Sequence, residues 1–141
     1  MIIIEPGVKD LLIEDALKTF PDECCGFLYG IESDDNRIVT EMSVVDNSRE
    51  GDKTRRFEIS PFDYMKAEQH ALEIDRLLLG VYHSHPKHPA IPSEHDRVAA
   101  QPWFSYVIIS VLSNVDISLR SWRLNEATQF EEEKIADYQL T

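Results

Sequence analysis

The sequence is poor in cysteine, and its only two thiols, Cys24 and Cys25, are adjacent. Neighbouring cysteines cannot form an ordinary disulfide framework, and on a strand they face opposite ways, so they do not make a zinc knuckle. We therefore expect both to pack as small side chains in the core. A chain of 141 residues is long enough to bury such a core without disulfide bonds.

Long apolar runs are also missing. The apolar residues 1–4 end at Glu5 and Pro6, far short of the core of a signal peptide. No run elsewhere approaches the ~20 apolar residues that a membrane span needs. We therefore expect a cytoplasmic protein with no membrane partner.

Basic residues are few and scattered. Lys and Arg total 14 against 26 Asp and Glu, which gives a formal net charge of -12 at pH 7. Such a surface repels phosphate backbones, so nucleic acid is not an expected partner. The remaining composition, 43% hydrophobic and 28% charged, is typical of a globular protein, and the length indicates one domain over residues 1–141.

The pattern of apolar residues predicts a mixed sheet flanked by about three helices. The predicted strands cover residues 2–4, 24–31, 37–45, 56–59, 77–85, 104–112 and 116–124, and the predicted helices cover residues 6–20, 61–74 and 93–101. Residues 46–55 are polar and predict a loop, whereas residues 130–135 fit either an edge strand or a helix. This order indicates an α/β fold of the α+β type without repeats or a second domain.

Two histidines, His83 and His85, end the predicted strand 77–85, and Ser93 and Asp96 follow after a proline-rich spacer. Residues i and i+2 of a strand share one face, so the two imidazoles point the same way. The spacer is long enough to leave the strand and begin a helix whose first turn presents Asp96. Two imidazoles and one carboxylate then converge, which is the three-ligand arrangement of catalytic zinc.

Each part of this pattern has a simpler explanation when it is taken alone. Ser93 and Asp96 are spaced as in a capping box at a helix N-terminus. A single histidine on an apolar strand is more often a packed residue than a ligand. The four positions together, however, arise by chance in roughly one chain in a thousand of this composition. Capping and ligation are also compatible with each other.

Metal-assisted hydrolysis also needs a general base that is not a metal ligand. The sequence contains no His-Glu-x-x-His motif, so the base must come from another segment. Glu23 is the candidate, because it precedes the strand 24–31, whose glycines permit close backbone approach. From composition alone, an ordinary loop carboxylate would be the commoner explanation. The Ser93 hydroxyl could stabilise an oxyanion beside the metal.

These five residues resemble the motif of the JAMM (MPN+) metalloproteases, which is a glutamate followed by His-Ser/Thr-His, seven residues and Ser-x-x-Asp. The resemblance extends to the flanking residues and covers most of the chain. It implies that His83, His85 and Asp96 bind one zinc ion per chain. Glu23 would be the general acid/base, and Ser93 would support the tetrahedral intermediate. The implied fold is a partly barrel-like sheet with packed helices, the JAMM/MPN (cytidine-deaminase-like) architecture.

Members of this family hydrolyse peptide or isopeptide bonds after the C-terminal glycines of ubiquitin or ubiquitin-like proteins. The chain resembles the short bacterial and archaeal members, which are associated with ubiquitin-like sulfur-carrier proteins. The resemblance therefore implies a zinc-dependent peptidase or isopeptidase whose substrate is the C-terminal tail of such a carrier. Two alternatives stay open: a non-catalytic module in which a metal tethers a loop, and a non-haem iron enzyme with a facial triad of two histidines and one carboxylate.

Overall fold

A computed structural model of the chain describes residues 1–137. The strands are β1 (Ile2–Ile4), β2 (Cys25–Ser33), β3 (Asn36–Val45), β4 (Leu77–Pro86), β5 (Ser105–Ser113), β6 (Asp116–Leu124), β7 (Phe130–Glu133) and β8 (Ile135–Ala136), and the helices are α1 (Pro6–Thr19), α2 (Pro61–Glu73) and α3 (Glu94–Ala99). Residues 138–141, the end of the predicted domain, lie outside the described part. Within residues 1–137, no helix has both the length and the apolar character needed to span a bilayer.

The strands form a single mixed sheet in the order β7-β6-β5-β4-β2-β3-β1-β8. β7 and β8 lie at opposite ends of this order, although only Lys134 separates them along the chain. The Lys134 carbonyl accepts a hydrogen bond from the Ile2 N–H at 3.0 Å, so the two edges of the sheet meet. The sheet is therefore nearly closed into a barrel, which leaves little free edge to pair with other chains.

α1 covers one face of this sheet. It begins at Pro6, whose fixed φ suits the first helical turn. Val8, Leu12 and Ala16 recur every four residues and form one buried stripe. The stripe packs against strand residues such as Val107 in the larger hydrophobic core.

α2 covers the other face. Phe27 and Leu28 are neighbours on β2 but belong to different core clusters, as expected for side chains on opposite faces of a strand. Ala67 and Ala71 are the buried residues of α2, and their small side chains let the helix pack closely on Phe27 and Val81.

β4 lies inside the sheet and carries the two histidines. It pairs antiparallel with β2 and parallel with β5, and residues 79–86 are all buried. A Cβ atom at Gly80 would lie 1.8 Å from the Ser105 carbonyl oxygen, so the close approach of β5 requires glycine at this position. Burial on both faces explains the continuous apolar run, and His83 and His85 are only 1% and 8% exposed.

Most of the predicted elements are confirmed, with shifts of one or two residues at their ends. The predicted strand 56–59 is wrong, because these residues belong to no strand. The Glu58 N–H donates to the Asn47 side-chain oxygen at 3.0 Å, and the Glu58 carbonyl accepts from the Ser48 N–H at 3.0 Å. The Asn47 side chain therefore accepts a hydrogen bond that the backbone of a neighbouring strand would accept in a sheet. Residues 130–135, left open between strand and helix, form β7 and the start of β8.

Candidate functional site

The five predicted site residues come from three segments that meet beside the C-terminal end of β4. Cys25 of β2 lies opposite His83 in the antiparallel β2–β4 pair. Continuing that register by two residues brings Glu23 beside His85. α3 follows the turn after β4 and supplies Asp96 from its first turn, with Ser93 as the N-cap residue. The structure therefore brings all five predicted residues together.

Three atoms of this site converge on one point. His83 Nε2 lies 3.1 Å from His85 Nε2 and 3.3 Å from Asp96 Oδ2. His85 Nε2 lies 3.2 Å from the same carboxylate oxygen. Zinc–nitrogen and zinc–oxygen distances of ~2.0–2.1 Å with tetrahedral angles place ligand atoms about 3.3 Å apart. The three atoms thus have the spacing of three corners of a tetrahedral metal site.

The hydrogen bonds of His85 also fit a metal. Its Nδ1 lies 2.8 Å from the Pro89 carbonyl oxygen, which can only accept, so Nδ1 carries a proton. In the neutral ring, Nε2 then directs a lone pair at Asp96 Oδ2, which is also an acceptor. Two facing acceptors repel each other unless a cation lies between them. A backbone carbonyl that orients a ligating histidine, as Pro89 does here, is also common in metal sites.

Burial and neighbouring charges shift the pKa of each of the three groups. Burial lowers the pKa of His83, which favours the neutral ring that ligates metals. Burial is the largest effect on His85 and lowers its pKa, but the contacts with Asp96 and the Pro89 carbonyl and the charge of Glu23 together outweigh it, so without a metal the pKa of His85 is raised. Burial alone would raise the pKa of Asp96, whereas the neighbouring His83 and His85 hold that pKa well below its usual range. Asp96 is therefore a carboxylate at neutral pH.

The N-terminus of α3 positions Asp96. The Asp96 N–H donates to Ser93 Oγ at 3.0 Å, and the Ser93 N–H donates to Asp96 Oδ2 at 2.9 Å. This is the capping box that the simpler explanation of the sequence predicted. The oxygen that accepts from Ser93 is also the one that faces both histidines, so capping orients the carboxylate toward them.

Glu23 lies beside the same point. It is 3% exposed, and its Oε1 has no hydrogen-bond partner among residues 1–137. Burial raises the pKa of Glu23 to about 8; the charge on His85 opposes this, and that on Asp96 adds to it. Its carboxylate lies within 4.8 Å of the two histidine rings' ligand nitrogens. Asp96 is closer to both histidines, so it fits the position of a ligand better than Glu23 does.

Ser84, between the two histidines, connects the segment that carries Glu23 to β4 through hydrogen bonds. Its buried Oγ accepts from the Cys24 N–H at 2.8 Å, and its own N–H donates to the Cys24 carbonyl at 3.1 Å. On the other side, the Glu23 N–H donates to the Lys53 carbonyl at 2.8 Å. The backbone on both sides of the Glu23 side chain is therefore fixed relative to the histidines.

The profile of the family described as prokaryotic homologs of the JAB domain matches residues 5–125 of the chain. The chain belongs to this family. A relative named desampylase, from Pyrococcus furiosus, is 30% identical over 113 residues, which cover 80% of this chain and 74% of that one. A relative named CysO-cysteine peptidase, from Mycobacterium tuberculosis, is 26% identical over 133 residues, which cover 94% and 88% of the two chains.

Solved structures agree with the fold of this JAB-domain chain. A protein from Desulfitobacterium hafniense matches with a TM-score of 0.88 at 27% identity, covering 99% of this chain and 94% of that one. A JAB1/MPN domain protein from Archaeoglobus fulgidus matches with a TM-score of 0.61 at 19% identity, covering 99% and 100%. These matches confirm the predicted JAB/MPN architecture.

Two pockets flank the three converging atoms of the JAB domain. The apolar pocket has a volume of about 300 Å³, reaches His83 and Asp96, and has aromatic walls that include Phe57 and Tyr64. The open pocket has a volume of about 630 Å³ and lies on the His85 side. Its lining consists of Glu23, Arg55, His85, His88, Pro89, Ile91 and Ser93. The site is therefore open to a substrate from two chemically different sides.

Two contributors to the site were missed by sequence reasoning. Phe57 stacks on the His83 ring, with centroids 4.4 Å apart and planes inclined by 25°, and it covers this ring from solvent. The Pro89 carbonyl orients His85. No sequence motif indicates either contact, because both depend on how loops fold back over β4.

The two cysteines are excluded as nucleophiles. Both are buried, which confirms the predicted core packing. Burial raises the pKa of both thiols, that of Cys25 to about 12. The nucleophilic form of cysteine is the thiolate, so neither side chain is reactive at neutral pH.

Proposed function

We propose that this JAB-domain protein is a zinc-dependent peptidase or isopeptidase that hydrolyses the bond after the C-terminal di-glycine of a ubiquitin-like protein of the sulfur-carrier type. The convergence of His83 Nε2, His85 Nε2 and Asp96 Oδ2 within 3.1–3.3 Å carries this proposal. The printed names of the relatives, desampylase and CysO-cysteine peptidase, support it. We place this activity in the cytoplasm and in a single domain.

His83, His85 and Asp96 would hold one zinc ion. The donor set fits, since two neutral imidazoles and one carboxylate are common ligands of catalytic zinc and leave a position open. A zinc ion held there supplies a water of lowered pKa and polarises the carbonyl of the scissile bond.

Glu23 acts as the general acid/base of the reaction. It takes one proton from the attacking water and gives a proton to the leaving amine when the C–N bond breaks. Burial raises its pKa to about 8, and a cation bound nearby would lower that pKa. A carboxyl group with a pKa near the working pH can both accept and release a proton, which suits this double role.

Ser93 stabilises the negative oxygen that forms during the reaction. Its Oγ accepts a hydrogen bond from the Asp96 N–H, which leaves the hydroxyl proton free to be donated. A preorganised donor directed at a developing oxyanion is worth ~10²-fold or more in turnover. The capping role of Ser93 holds the donor in place.

The test uses a ubiquitin-like carrier that has extra residues after Gly-Gly, incubated with the zinc-loaded protein and analysed by mass spectrometry. We expect cleavage after the second glycine, and loss of cleavage when a chelator removes the metal. Glu23→Gln should lower turnover by roughly 10²-fold or more, with one zinc per chain retained by elemental analysis.

Other outcomes would favour the alternatives. Zinc binding and carrier binding without hydrolysis would identify a non-catalytic module. Activity that needs iron and is absent in the zinc form would identify a facial-triad enzyme. Wild-type turnover in Glu23→Gln would remove Glu23 from the mechanism.

A further inference from the structure

The position of Glu23 decides which pocket receives the leaving group. In the proposed function, on which this inference rests, Glu23 gives a proton to the leaving amine, so that amine must lie within hydrogen-bond reach of its carboxyl group. Glu23 lines the open pocket and is absent from the lining of the apolar pocket. The leaving group therefore occupies the open pocket, and the tail of the carrier lies on the other side of the scissile bond.

The open pocket contains basic side chains. Arg55 is the only permanently positive side chain in its lining, and His88 is a second basic group with an exposed ring. Apart from Glu23, no acidic side chain lines it. Arg55 therefore stands out in a chain whose formal net charge is -12.

Arg55 is also free to bind a ligand. Arg49, Arg97 and Arg120 each pair with a glutamate, whereas the Arg55 side chain forms no ion pair with another described residue. Asp52, an acid on the same loop, instead accepts hydrogen bonds from the N–H and the hydroxyl of Thr54. Arg55 is therefore exposed and lines the open pocket, and it attracts Asp52 without forming an ion pair with it.

We propose that Arg55 binds the α-carboxylate of the residue or short peptide released from the carrier, so that the enzyme prefers C-terminal extensions over isopeptide-linked lysine. A guanidinium matches a carboxylate with two parallel hydrogen bonds. A C-terminal extension carries its carboxylate near the leaving amine. A lysine linked through its Nε within another protein has no free carboxylate at that position.

The reaction itself is hydrolysis and needs no other reactant. Water adds its hydroxyl group to the carbonyl carbon of the second glycine, the C–N bond breaks, and a proton passes through Glu23 to the amine. The products are a carrier ending in Gly-Gly and a free amino acid or short peptide. Arg55 takes part only by binding the carboxylate of that second product.

The test compares three substrates that share the same carrier and Gly-Gly tail. The first ends in Gly-Gly-Ala with a free carboxylate, the second ends in Gly-Gly-Ala-amide, and the third joins Gly-Gly to the Nε of lysine in a peptide. For the zinc-loaded wild-type protein, we expect kcat/KM for the free acid to exceed that for the amide by about tenfold to a hundredfold, the range of a charge-assisted hydrogen-bonded pair. The isopeptide should be cleaved no faster than the amide.

Variants then identify the residue responsible. Arg55→Met should bring the free acid and the amide to the same kcat/KM, mainly through a higher KM for the free acid, and Arg55→Lys should keep part of the preference. Arg56→Met is the matched control, since it removes the same charge from the next residue, which does not line the pocket. It should keep the full preference.

Equal kcat/KM for acid and amide in the wild-type protein would overturn the proposal, as would equal losses on both substrates in Arg55→Met. Efficient cleavage of the isopeptide would also overturn it while leaving the proposed hydrolase intact. If the zinc-loaded protein cleaves none of the three substrates, the proposed function itself fails, and this inference fails with it.

Discussion

Replacing Ser84 by alanine tests whether the backbone around Glu23 is held by β4. Ser84 is 0% exposed, and its Oγ accepts the Cys24 N–H at 2.8 Å in a buried contact. Without the hydroxyl, this N–H has no acceptor. A buried polar group that loses its partner costs about 1–3 kcal/mol of folding free energy. In a domain of this size, each kcal/mol lowers Tm by about 4 °C, so the Tm of Ser84→Ala should fall by ~4–12 °C.

Ser84→Ala should also lower catalysis. Cys24 is next to Glu23, so a shift of this backbone moves the carboxyl group relative to His83 and His85. A displacement of about 1 Å in a catalytic group lowers turnover by ~10²-fold. The histidines and Asp96 are unchanged, so Ser84→Ala should still bind one zinc ion.

The assay combines kcat on a carrier tail, zinc content and urea unfolding, all on the zinc-loaded protein. Ser84→Thr retains a hydroxyl and should recover most of the lost turnover. Ser105→Ala is the control for a structural loss, because Ser105 is also 0% exposed and hydrogen-bonded but lies beside Gly80, away from Glu23. It should lower stability and leave kcat unchanged. If Ser84→Ala loses stability but keeps wild-type kcat, the Ser84–Cys24 contact does not position Glu23.

Three further predictions concern the metal, pH and the thiols. Zinc at 100 times its Kd should stabilise the protein by about 2.7 kcal/mol, measured by thermal unfolding, and His85→Ala should abolish this gain. In the metal-free protein, burial raises the pKa of Glu23 from its ordinary 4.5 to about 8, so the folded state binds the proton more tightly. The contribution of Glu23 to stability should fall as the pH rises from about 4.5 to about 8, so the stability difference between the wild-type protein and Glu23→Gln in urea unfolding should change in this direction across the same pH range. Cys24 and Cys25 should react with a thiol reagent only after denaturation, and rapid reaction in the folded protein would contradict their burial.

The order of elements could be predicted from the sequence because it depends on local patterns. The apolar run of β4 and the spacing from His83 to Asp96 were enough to predict a strand, a turn and a helix. Barrel closure was implied only by the family resemblance and not by local patterns, since it depends on β7 and β8 reaching opposite edges of the sheet around Lys134. The segment 56–59 was predicted as a strand because its residues suit one, but the Glu58 N–H donates to the Asn47 side-chain oxygen instead of to the carbonyl of a neighbouring strand.

The sequence could not decide between capping and ligation for Asp96, and the structure explains why both fit one residue. α3 has six residues, none of them buried, and a helix this short is unstable by itself in water. Its capping box and the approach of Asp96 to the two histidines link it to the sheet. A metal ion bound at these atoms would therefore also fix α3, and with it the Ser93 hydroxyl beside the scissile bond. Removing the Asp96 carboxylate should then both weaken zinc binding and release Ser93, so its effect on turnover should exceed that of losing the Ser93 hydroxyl alone.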